Sequence, residues 1–322
     1  MMQGWQRVAQ VYFLRAGLRV GLRAVLALSS GLVFAAPGLA QERLWRSPTD
    51  FATTPKPLQL KPTKKPLASF PAYRVPQGTP IDPVAVYLMA GQSNLVGAAR
   101  LRNADPADVA PFEAAQIWSN ELGFVTLAPG FNGPYRNVGP EYSFGRRIVE
   151  RSRESVYIIK VGLGATTLAE DWHPEGVNNW YDRLNMTVAI ALAELDAQGI
   201  SYDIKGLVWM QGESDVWNAE FAAAYEQNLT LLIADLQQRY GEEFSVAIGL
   251  IRGDLPADNP APLPVVRAAQ RAVAERNEQV FLVDTDRLGT GEMILQADDV
   301  HYNAAGQALL GEAFGNNLQH DL

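Results

Sequence analysis

The sequence predicts an α/β fold: one doubly wound domain with a five-stranded parallel sheet and helices on both faces. Two patterns carry that expectation. From Val84 onward, short apolar runs alternate with longer amphipathic segments. Strands buried on both faces read as such runs, and the crossovers between parallel strands place helices on both sides of the sheet. The third observation is a hydroxyl. Ser93 follows the first apolar run and Gly91 almost at once, and open α/β sheets hold their chemistry at the carboxyl ends of the strands.

In chain order, the expected strands are Val84–Met89, Val156–Val161, Ile204–Met210, Ser245–Ile251 and Val280–Val283. Each is a short apolar run bounded by polar or turn-forming residues. Helical periodicity places helices over Tyr142–Ser152, Trp180–Gln198, Ala219–Tyr240, Leu263–Arg276 and Asn303–Leu318. The stretch Leu101–Val138 breaks this rhythm. It holds Gly130, Gly133 and several aromatics, and is expected to form an irregular excursion over the site.

Two segments of different character precede the domain. In residues 1–40 the only charges are Arg7, Arg15, Arg19 and Arg23; an apolar segment, Ala24–Ala36, follows them and Pro37-Gly38-Leu39-Ala40 ends the stretch. That layout is a secretory signal peptide cut after Ala40, the alternative being a retained amphipathic anchor. The apolar segment is short for a membrane span, so no integral span is expected after cleavage, and the protein is expected to be exported. Residues 41–83 are rich in proline, lysine and threonine without periodicity, as in an extended linker or a strap. Residues 84–322 form the domain.

Removing four arginines and no acids takes the net charge from −8 to −12. So acidic a chain is a poor partner for nucleic acid or an anionic membrane surface. With no cysteine, disulfides, thiolate metal sites and a lipid-modified N-terminus are excluded.

A serine becomes a nucleophile only when a base takes its proton. The sequence holds three histidines. His320 lies at the extreme end of the chain, where fraying is expected. His173 stands in a loop-like Asp171-Trp172-His173-Pro174, and His301 stands just before the last helix with Asp298 three residues upstream. In a turn, Asp298 can accept a hydrogen bond from one imidazole nitrogen and leave the other for the Ser93 proton, the arrangement of nucleophile, base and orienting group. Taken alone, this spacing also fits a surface histidine beside a helix cap at Asn303.

The motifs carry a resemblance. Ala90-Gly91-Gln92-Ser93-Asn94 resembles the first block of the SGNH-type carbohydrate esterases, and more narrowly of the sialate O-acetylesterase domain and the acetylxylan esterases of carbohydrate esterase family 6. Gly139-Pro140-Glu141, the run from Lys160 to Trp172, Trp209-Met210-Gln211-Gly212-Glu213-Ser214-Asp215 and Asp298-Asp299-Val300-His301 are similar to the later blocks, in the same order. The main departure is Ala165, where the family usually has glycine. A Rossmann reading of Gly162-Leu163-Gly164 fails, because Thr167 holds its sixth position.

The resemblance implies a flavodoxin-like three-layer α/β/α sandwich and an ester hydrolase. It implies Ser93 as nucleophile, His301 as base and Asp298 as orienting group, with Glu213 as the alternative carboxylate behind His301. Oxyanion donors would be the Ser93 and Gly139 amides and the Gln211 side chain. Gln92, Asn94 and Glu141 are supporting residues, and Trp172, His173 and Arg252 are candidates for substrate contact, with Trp180, Tyr181 and Trp217 as further aromatic candidates. Glu213 and Asp215 could also suit a glycosidase pair or a metal, but they lack a histidine cluster, so no metal or cofactor is expected. The expected substrate is an acetylated carbohydrate of the acetylxylan type. The alternatives are sialate, peptidoglycan or small esters, and a binding protein that has lost catalysis.

Overall fold

A computed structural model describes residues 83–104, 110–129, 137–255 and 261–318. The expected signal peptide, nearly all of the expected linker and His320 lie outside the described residues.

The organising strand is β1, Val84–Gly91, buried along its whole length. It pairs in parallel with β6 (Val156–Gly162) on one side and β7 (Tyr202–Met210) on the other. Beyond β7 come β8 (Ser245–Gly249) and β9 (Val280–Val283), again in parallel. All five expected strands are present, and the fourth ends at Gly249, two residues early.

The sheet does not stop there. Inside the stretch expected to be irregular, β3 (Phe112–Ser119) pairs in parallel with β6, and β4 (Gly123–Leu127) folds back antiparallel as the edge. The sheet is therefore seven-stranded, in the order β4-β3-β6-β1-β7-β8-β9. The hairpin was hidden because Glu113 and Ala114 are exposed and the β3–β4 register shifts between Phe112 and Gln116. Neither strand repeats with a clean period of two. A two-residue ribbon, β2 (Ala99–Arg100) with β5 (Asn137–Val138), lies apart from the main sheet.

Alternate residues of β1 feed two cores, as a strand buried on both faces requires. Val84, Val86, Leu88 and Ala90 pack on the side of α3 (Trp180–Gln198), α4 (Ala219–Tyr240) and α5 (Leu263–Arg276). Ala85, Tyr87 and Met89 pack on the side of α2 (Glu141–Ser152) and α6 (Ala304–Asn317). The result is the three-layer α/β/α sandwich. Asparagine side chains cap three of the helices: Asn179 accepts from Asp182 N–H, Asn218 from Glu220 and Phe221, and Asn303 from Gly306. Among the described residues no helix is long and apolar enough to cross a membrane.

Candidate active site

Gly91 ends β1 where the neighbouring backbone comes very close: a Cβ there would lie 2.0 Å from the Met210 carbonyl oxygen. Only glycine fits, and the chain turns directly into a single helical turn, α1 (Ser93–Val96). Ser93 is thereby placed at the carboxyl edge of the sheet's central strand.

The residues before α6 bring His301 to the same edge. Its Nε2 lies 2.9 Å from Ser93 Oγ, and its Nδ1 lies 2.7 Å from Asp298 Oδ2. The other oxygen of Asp298 accepts the backbone N–H groups of Val300 (3.0 Å) and His301 (2.9 Å). Partial burial works to raise the Asp298 carboxyl, but these backbone bonds and the imidazole outweigh it and hold the group below its ordinary value. A charged Asp298 on Nδ1 fixes the tautomer that leaves Nε2 able to accept the serine proton.

Asn94 ties the two loops together. Its Nδ2 donates to Glu213 Oε1 (2.9 Å) and to the Val300 carbonyl (3.2 Å), and its Oδ1 accepts from Tyr302 N–H (3.1 Å). One buried amide thus joins the residue after the nucleophile to both neighbours of the histidine. Glu213 bonds to Asn94 rather than to the imidazole, so Asp298 is the carboxylate on His301. Glu213 is buried with Oε2 lacking a partner among the described residues, and desolvation raises its pKa against the lowering effects of Asn94, its own backbone and His301.

A second tie runs through Lys160 at the end of β6. Its Nζ pairs with Glu141 Oε2 (2.5 Å) and donates to the Val96 carbonyl (3.0 Å), with both charged side chains almost fully buried. Gly139 lies against this pair: a Cβ there would fall 2.3 Å from Glu141 Oε2 and 2.6 Å from Lys160 Nζ. The Ser93 and Gly139 amides find no acceptor among the described residues.

The family described as carbohydrate esterase, sialic acid-specific acetylesterase, matches residues 83–320. The chain belongs to this family. It is an esterase, and the family supports acetyl esters as its target. No curated protein matches the chain. Among solved structures, a protein from Arabidopsis thaliana is similar at 21% identity and a TM-score of 0.60, over 73% of this chain and 97% of that one. A carbohydrate acetylesterase from Xanthomonas citri is similar at 15% identity and a TM-score of 0.50, over 71% of this chain and 54% of that one. NanS is similar at 12% identity and a TM-score of 0.55, over 73% of this chain and 97% of that one. At these identities the likeness is one of fold.

Several residues expected at the esterase site are turned elsewhere. The Gln211 amide is buried, with Nε2 on Gln92 Oε1 (3.2 Å), Thr166 O (2.9 Å) and Asp215 Oδ2 (2.6 Å), and its Oε1 accepts from Tyr225. Its hydrogens are already committed, so it is not an oxyanion donor here. Gln92 is structural in the same way: its Oε1 also receives Gly212 and Ser214 N–H, both at 3.3 Å, and docks that loop onto the end of β1. Asp215 takes the Leu168 and Ala169 amides and that of Gln211; burial nonetheless raises it to about 6.

Trp172 is fully buried, donates to Thr166 Oγ1 (2.9 Å) and meets Trp209 edge to face at 5.3 Å, so it is core. Tyr181 is buried, with its hydroxyl on Asp235, while Trp180 is half-buried beneath Arg183. His173 shapes its own loop: Nδ1 accepts from Glu175 N–H, and its carbonyl accepts from Asn179 and Gly176. Arg252 is only 3% exposed, forks onto Asp254 (2.7 and 2.5 Å) and reaches the Gly289 carbonyl (3.1 Å). It holds two loops together and is not presented to a substrate. Trp217, 66% exposed beyond β7, is the aromatic still open to a sugar. The sequence marks Lys160 only as the head of a motif block and gives it no role of its own, although a lysine closing an apolar strand is a legible signal of a buried partner.

Proposed function

We propose that this esterase hydrolyses O-acetyl esters of an acetylxylan-type glycan through an acetyl-Ser93 intermediate. The observation that carries the reading is the unbroken chain Ser93 Oγ, His301, Asp298 at 2.9 and 2.7 Å. Ser93 Oγ attacks the acetyl carbonyl carbon while its proton passes to His301 Nε2. The carbonyl oxygen becomes an oxyanion facing the Ser93 and Gly139 amides. The intermediate collapses as His301 returns the proton to the sugar oxygen, which leaves as the free hydroxyl. Water then attacks the acetyl-serine with His301 again as base, and acetate departs. Asp298 stabilises the imidazolium in both halves. The acidic character of the chain favours a neutral glycan over an anionic one, and the segment 1–40 favours export. A sialic acid ester is the second reading, favoured by the family's description.

Acetate release from acetylated xylan, O-acetyl sialic acid and O-acetyl peptidoglycan, each beside Ser93→Ala, tests this. We expect the largest turnover on xylan and a drop of about 10⁴-fold or more in Ser93→Ala. Wild-type turnover in the variant overturns the mechanism, and release from sialic acid alone overturns the substrate.

A further inference from the structure

We infer that the groove between α2 and α6 binds the glycan chain carrying the acetyl group, and that it selects a neutral chain of several sugars; this rests on the acetylesterase reading above. The groove encloses about 870 Å³, and Ser93 and His301 stand outside its described lining. That lining includes Gly139, which lies against the Val96 carbonyl of the nucleophile's helical turn, and Ala304, three residues after His301. From there it follows both helices to Glu150 and Asn316. The span from Ala304 to Asn316 along α6 is about 18 Å at 1.5 Å per residue, room for several linked sugars. The helices touch at Gly311, where a Cβ would lie 2.2 Å from the Pro140 carbonyl, and the groove runs beside that contact.

Its lining explains the selectivity. Arg146 and Arg147 are matched by Glu150 and Glu312, so among the described residues the wall carries two cations and two carboxylates. Arg147 already donates to Asn316 (2.6 Å) and lies 3.6 Å from Glu150. A balanced wall offers no net field to a polyanion, yet it presents both donors and acceptors to hydroxyl groups. On the α6 side Ala304, Ala305 and Ala308 leave an apolar strip on which the C–H faces of sugars can rest.

Calorimetric binding of deacetylated xylo-oligosaccharides to the full chain tests the inference independently of turnover. Xylotetraose should bind about tenfold tighter than xylobiose and than tetragalacturonate, and Ala308→Leu or Glu312→Lys should each weaken it about fivefold. Binding independent of chain length, stronger binding of the galacturonate, or both variants binding like wild type overturns it. Failure of the acetylesterase reading shows separately, as absent acetate release from the acetylated forms while chain-length-dependent binding persists.

Discussion

Two carboxylates flank the His301 loop, and their surroundings push them in opposite directions. Asp298 receives two backbone amides and the imidazole and is held ionised, whereas Glu213 sits buried with one oxygen unpartnered among the described residues and its pKa raised by desolvation. Separated environments of this kind divide roles between acids. The consequence for Glu213 is measurable. Its folded pKa exceeds its unfolded value of about 4.3, so the unfolded chain releases this proton first as pH rises. The glutamate therefore costs stability progressively above that pH, until it ionises in the fold as well, with a slope of at most about 1.4 kcal/mol per pH unit. Glu213→Gln keeps an acceptor for Asn94 and removes the titration. Its Tm relative to wild type should rise as the pH is taken above that unfolded value. A difference that stays constant with pH would show that Glu213 does not titrate across folding. Ala165 belongs to the same scale: its φ of 60° is left-handed, which is the physical reason for the glycine usual there in the resembling family.

Among the elements, the central strands and helices were legible because their sequence signals are physical constraints. Unbroken apolar runs such as Val84–Met89 cannot be exposed, and Asn179, Asn218 and Asn303 mark helix starts because their side chains accept first-turn amides. The β3–β4 hairpin was not, since its edge position leaves most of β4 only half-buried. At the site, His301 stood out from three histidines and Ser93 by its place just after an apolar run, but position at a strand end does not say which way a side chain turns. For Gln211 a signal existed: it shares parity with Leu207 and Trp209, which face the core beneath α4, so it too points inward. The Lys160–Glu141 pair connects β6, α2 and the last residue of α1, and thereby holds Gly139 against the Val96 end of the nucleophile's helical turn. Lys160→Met would strand a buried carboxylate and should cost about 3–5 kcal/mol. Adding Glu141→Leu should return much of that stability in a thermal melt. It should leave kcat at least about tenfold low with KM little changed, because the tether between Gly139 and Val96 stays broken. Full recovery of kcat together with stability would reduce the pair to packing alone.

At the scale of the molecule, the site rests on the most deeply held part of the sheet. β1 is buried at every position and has a parallel partner on each side, and its two sets of side chains join separate cores above and below. β4, by contrast, has one neighbour and is half-buried over four of its five residues. Local opening follows contact density, so such edges open at lower free energy than the core. Ser93 therefore hangs from a strand that should open only with the whole domain, while the hairpin can fray without disturbing it. Native-state amide exchange should find the β1 and β7 amides slowest, at the global unfolding limit, and those of β4 faster by at least about a hundredfold. Mild denaturant should accelerate β4 amides with a smaller slope than β1, since less surface is exposed when the edge alone opens. Equal protection and equal slopes across β1 and β4 would mean that the hairpin belongs to one cooperative unit with the strand that carries the nucleophile.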